Sequence, residues 1–122
     1  MCGDDEEDQY RLDDELFERF LKAAGRHGVT RGKAGAGAPE RLQDEAARTA
    51  YLEGLFQAGL RRAVNDAGHL DQGERMDALA GQAIVFARLA GFLAGQFPPE
   101  ANLFQSVVSA LMEGHGETSR LG

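Results

Sequence analysis

Between Met76 and Phe97 apolar residues recur in 3,4 spacing: Met76, Leu79, Ala83, Phe86, Ala90, Leu93 and Phe97. A second row, Ala80, Ile84, Ala87, Gly91 and Ala94, runs beside the first. On a helix the two rows make an apolar surface wider than a simple amphipathic stripe, so the pattern predicts a helix covered on most of its sides. Asp71 followed by Glu74 fits a capping box and starts this helix at Gln72; Pro98-Pro99 stops it at about Phe97.

Three further helices follow from the same reading. Leu12, Leu16 and Phe20, flanked by Phe17, Leu21 and Ala24, share one face of a helix from about Gln9 to Gly25. Its opposite face carries Glu15 with Arg19 and Glu18 with Lys22, each an i,i+4 pair of the favourable orientation. Leu42, Ala46, Thr49, Leu52, Phe56, Leu60 and Ala63 trace the buried face of a helix from Pro39 to about Asp66, with Gly68 as its cap. Leu103, Phe104, Val107, Val108, Leu111 and Met112 do the same for a helix from Glu100 to Glu113. The expected fold is all-α, a four-helix bundle-like domain. A long antiparallel hairpin (39–66 and 72–97) is its centre, and shorter helices (9–25 and 100–113) flank it.

Rows of small residues support the hairpin: Ala47, Ala50, Gly54 and Ala58 on one helix, Ala80, Ala87, Gly91 and Ala94 on the other. Small residues in register let two helix axes approach toward the near end of the roughly 8–10 Å range. Helices of about 25 residues flanked by helices of about 15 leave apolar surface uncovered. A homodimer formed through helices two and three is the expected remedy.

Between the first two helices, residues 25–39 carry Gly25, Gly28, Gly32, Gly35, Gly37 and Pro39 and read as a flexible linker. Gly28, Gly32 and Lys33 approach a phosphate-binding loop, but three residues separate the glycines and Ala34 stands where Ser or Thr holds the metal. Gly35-Ala36-Gly37 lacks the third glycine of a dinucleotide fingerprint. Residues 1–8 and 114–122 are expected to be disordered ends around a single helical domain at 9–113.

Charge sharpens this picture. The net charge is −7 over 122 residues, and Asp4, Asp5, Glu6, Glu7 and Asp8 carry five of those negative charges, so the chain from Gln9 onward is close to neutral. No basic face is available for nucleic acid. Eleven of the 13 basic residues are Arg, which with the abundant Ala and Gly points to a GC-rich bacterial genome. Cys2 is the single cysteine, so a disulfide within the chain is impossible and a reducing, cytoplasmic setting is expected. No apolar run precedes Cys2, so neither a secretory signal nor a lipid anchor is expected. Ala78 to Phe97 is long enough to cross a membrane, but Arg88 near its centre costs roughly 2.5 kcal/mol or more in a bilayer, so a covered soluble helix is preferred.

Candidate chemistry is sparse. His27, His69 and His115 each neighbour a glycine at an expected helix end, where an imidazole can meet free carbonyls and the negative end of the dipole. In an up-down bundle His69 and His115 fall at one end, with Asp66, Asp71 and Glu113 nearby. That would be an N/O metal site, but no Glu-x-x-His pair accompanies it. Gly-x-Ser-x-Gly is missing, and Ser106, Ser109 and Ser119 are the only serines. No catalytic set and no cofactor are expected. Arg88 stands out as the one charge in the apolar helix. It serves either as an interface residue reaching Glu53 or Asp44, or as the anchor of a carboxylate ligand in a pocket of Phe56, Met76, Phe86 and Phe92. The function expected is a non-catalytic homodimeric interaction or regulatory module. A small-molecule-binding, sensor-like bundle is the alternative, with a metal-dependent enzyme behind it.

Overall fold

The computed structural model describes residues 2–121, with side chains from Arg11 to Thr118. It is all-helical, 76% helix with no strand among the described residues. Four α-helices follow in order: α1 (Cys2–Gly25), α2 (Glu45–His69), α3 (Gln72–Ala94) and α4 (Leu103–Leu121). A 3₁₀ turn at Pro99–Ala101 precedes the last. Helix α3 contacts both α2 and α4, a bundle-type arrangement. Two compact units divide the chain, one of Met1–Arg31 with Ala87–Gly122 and one of Gly32–Phe86, and the boundary falls within α3.

In the first unit α1 begins at Cys2, seven residues before the expected start. The acidic run is therefore helical backbone where a disordered tail was expected, in keeping with the preference of carboxylates for the positive end of a helix dipole. Its side chains, and the Cys2 thiol, lie outside the described residues. At the other end of α1, the Val29 amide donates to the Ala24 carbonyl and the Gly28 amide to the Gly25 carbonyl. Gly28 has φ +78°. These bonds make a Schellman cap, whose left-handed position suits glycine. The ring of His27, just inside that cap, meets Phe92 of α3 edge-on at 5.4 Å, and Phe20 of α1 lies 6.3 Å from the same ring. An imidazole expected to serve a helix end thus packs against an aromatic side chain instead.

Helix α3 ends at Ala94, and the chain tightens through i,i+3 bonds from Gln96 to Leu93 and from Phe97 to Ala94 before the two prolines. Asn102, with φ +54°, then sets the break that lets α4 begin at Leu103, three residues later than expected. Helix α4 continues to Leu121 where a frayed tail from Gly114 was expected. Gly114 and Gly116 each cost roughly 1 kcal/mol in a helix, but no proline follows to stop it.

In the second unit α2 starts at Glu45, six residues after the expected Pro39. Asp44 accounts for the shift: its Oδ2 accepts from the Ala47 amide at 3.3 Å, an N-cap that Ala38 before Pro39 could not supply. Helix α2 then runs through the expected Gly68 cap to His69, and α3 begins at Gln72, as the sequence predicts, after a connection of Leu70 and Asp71. Arg75 Nε donates to the Leu70 carbonyl at 2.8 Å across this turn.

Helices of 24, 25, 23 and 19 residues are more even than the expected long pair flanked by a short pair. Length mismatch therefore does not explain uncovered surface here. Burial does: among the described residues Ala67, 7% exposed, is the one buried apolar residue.

Candidate interaction surface and groove

The small residues decide which face of α2 is used within the chain. Its least exposed positions, Ala47, Tyr51, Gly59, Ala63 and Ala67, fall at multiples of four residues and form one row, interrupted by the exposed Leu55. On the part of α3 that belongs to the same unit, Ala78 and Gln82 are the half-buried positions. A contact built mainly on Ala and Gly lets two helices approach closely while burying little apolar area per residue.

The larger apolar residues are left outside that contact. Leu52, Leu55, Phe56, Leu60 and Val64 of α2 are all more than half exposed, Phe56 at 65%. Met76 and Ile84 of α3 reach 70% and 71%. The face expected to be buried, with Leu52, Phe56 and Leu60 on it, is thus open in the single chain, and the neighbouring row is the covered one. The first unit behaves alike: on α4 Leu103 and Val107 are half-buried, whereas Phe104, Val108, Leu111 and Met112 are exposed.

Polar groups near this surface are few. Gln82 Oε1 is buried and has no hydrogen-bond partner among the described residues. Arg88 is exposed and makes no ion pair among them. The ion pair found among the described residues, Arg62 Nε to Asp66 Oδ2 at 2.9 Å, lies on the solvent side of α2, with side chains 76% and 48% exposed. It occupies one carboxylate of the expected metal set. No group of three or more His, Cys, Asp or Glu among the described residues is placed to hold a metal.

A groove of about 460 Å³ lies in the first unit between α1 and the C-terminal end of α3. Asp13, Leu16, Phe17, Phe20, Leu93, Gln96 and Phe97 line it. Gln96 Nε2 donates to the Phe92 carbonyl at 2.9 Å, which fixes the amide at the groove wall. The Arg31 guanidinium sits 5.3 Å from the centre of the Phe17 ring, and Phe17 and Phe20 are 6.2 Å apart. A second cavity, of about 660 Å³, lies in the second unit around Pro39, Asp44 and Tyr51. Arg88, Phe56, Met76, Phe86 and Phe92, the residues singled out as a pocket, line neither. The Phe17–Phe20–Phe97 wall escaped sequence reading because its residues come from opposite ends of the chain, each one read as core of its own helix.

Helix α3 also meets the length and composition of a membrane span, with a mean hydropathy of 1.4 over 18 residues and none of that window buried. Comparison of the chain with protein-family models, curated proteins and solved structures finds no match in any of the three.

Proposed function

We propose that this chain is a non-catalytic, cytoplasmic interaction module that works as a homodimer, with α2 and α3 forming the contact between subunits. The observation that carries the reading is the open row of Leu52, Leu55, Phe56, Leu60 and Val64 on α2, together with Met76, Ile84 and Val85 on α3. Covering the remaining exposed half of each side chain stabilises by roughly 1 kcal/mol. Eight such residues bring the gain to the order of the roughly 4–15 kcal/mol that association costs.

A second copy suits this surface better than lipid. Arg88 interrupts α3 near the middle of its apolar stretch, and α2 beside it carries Arg48, Glu53, Arg61, Arg62 and Asp66. Those charges are ill suited to a bilayer interior, whereas two copies can keep them at a solvated rim. Size-exclusion chromatography with light scattering is the test. The expected result at micromolar concentration is a monodisperse species of about twice the 13.2 kDa chain mass. A monodisperse single chain, or recovery only with detergent or vesicles, would overturn the reading.

A further inference from the structure

We propose that the groove in the first unit binds an organic cation, an ammonium carried on an apolar body such as an aralkyl or alkyl amine. The walls of the groove are the rings of Phe17, Phe20 and Phe97 with Leu16 and Leu93, and its volume of about 460 Å³ falls within the range of small-molecule sites, roughly 300–1,000 Å³. Among the described residues two polar side chains face it, Asp13 and Gln96, and no cationic side chain lines it.

Both present acceptors. Asp13 brings a carboxylate, which at neutral pH can only accept hydrogen bonds. Gln96 gives one of its two Nε2 hydrogens to the Phe92 carbonyl at 2.9 Å, which holds the amide in place and leaves Oε1 as an acceptor beside the second N–H. A cationic head is matched by the Asp13 carboxylate, whereas a carboxylate or phosphate head meets a like charge there. The aromatic wall carries the same preference, since the face of a phenyl ring is negative and attracts cations within about 6 Å of its centroid. Arg31, 5.3 Å from the centre of the Phe17 ring, already takes the face of that ring at the edge of the site, so the rings left to a ligand cation are Phe20 and Phe97.

The groove is built from α1 and the end of α3, without the α2 residues that carry the dimer reading. The two proposals can therefore fail separately. Asp13 is exposed, so its ion pair with a ligand is weakened by solvent and worth up to about fivefold in affinity.

Isothermal titration of the full chain with 4-phenylbutylamine, 4-phenylbutanol and 4-phenylbutanoate tests the assignment. Saturable binding of the amine is expected, with the alcohol about fivefold weaker and the carboxylate weaker still. Asp13→Asn is expected to remove the advantage of the amine over the alcohol. Leu93→Trp, which fills the groove from a partly exposed position, is expected to weaken the amine at least about tenfold, with the helical circular dichroism of both variants kept. Equal binding of amine and alcohol would assign the groove to plain apolar packing. Absence of saturable heat at millimolar amine, or an Asp13→Asn variant that binds the amine as the parent does, would equally overturn the proposal.

Discussion

Asp44 and Gln82 show how single polar residues act in a chain with so little buried surface. Asp44 satisfies a free amide at the start of α2, and replacing an N-cap acid by alanine costs about 1 kcal/mol. Asp44→Ala is expected to lower the unfolding free energy from urea titration by that amount, while Arg62 and Asp66, an exposed i,i+4 pair, contribute no more than about 0.5 kcal/mol. Gln82 works the other way: its buried Oε1 has no partner among the described residues, and a buried acceptor left unpaired costs roughly 1–3 kcal/mol. The sequence made Arg88 conspicuous as the lone charge of its apolar stretch, yet Gln82 is the polar residue that α3 covers. Periodicity reports which residues share a face and carries no information on which face meets a neighbour, so the two could not be told apart.

At the scale of elements, four helices and their order were legible from apolar spacing, and the ends were legible only where a strong stop exists. Pro98-Pro99 bounds α3 and Asp71 precedes its start, and the start of α3 agrees with the sequence reading. Pro39 was taken as the beginning of α2 because proline suits the first helical turn, but the cap comes from Asp44, five residues on. The pairing of α2 with α3 was legible too, and the preference for small residues at that contact was right in kind. The particular row was not: Ala50, Gly54 and Ala58 are exposed, and Gly59, Ala63 and Ala67 take their place. Gly81 lies in the interior of α3 with open space around the position of a Cβ. Gly81→Ala is expected to raise stability by about 0.5–1 kcal/mol in denaturant titrations, the usual gain of alanine over glycine in a helix. A loss instead would place another backbone against that position.

For the whole molecule, the proposed assembly rests on exposed area where the sequence argument rested on unequal helix lengths. Those lengths are nearly equal, and the apolar rows are open because the hairpin closes through alanine and glycine. Side-chain volume at a contact, which neither composition nor length reports, made the difference. The aromatic groove was illegible for a related reason, since bringing Phe17 to Phe97 requires the tertiary fold. Leu60→Asp tests the assembly at one residue. Leu60 is 53% exposed, so a carboxylate there leaves the single chain intact. In a subunit contact it is expected to weaken self-association at least about tenfold, read by sedimentation equilibrium with helical content unchanged.

The connection between α2 and α3 consists of Leu70 and Asp71 alone, which has a kinetic consequence. Closing even a ten-residue loop takes about 10–100 ns, whereas two chains at micromolar concentration meet productively on the order of once per second. The hairpin therefore forms long before a partner arrives. In the proposed homodimer, assembly then joins two finished hairpins.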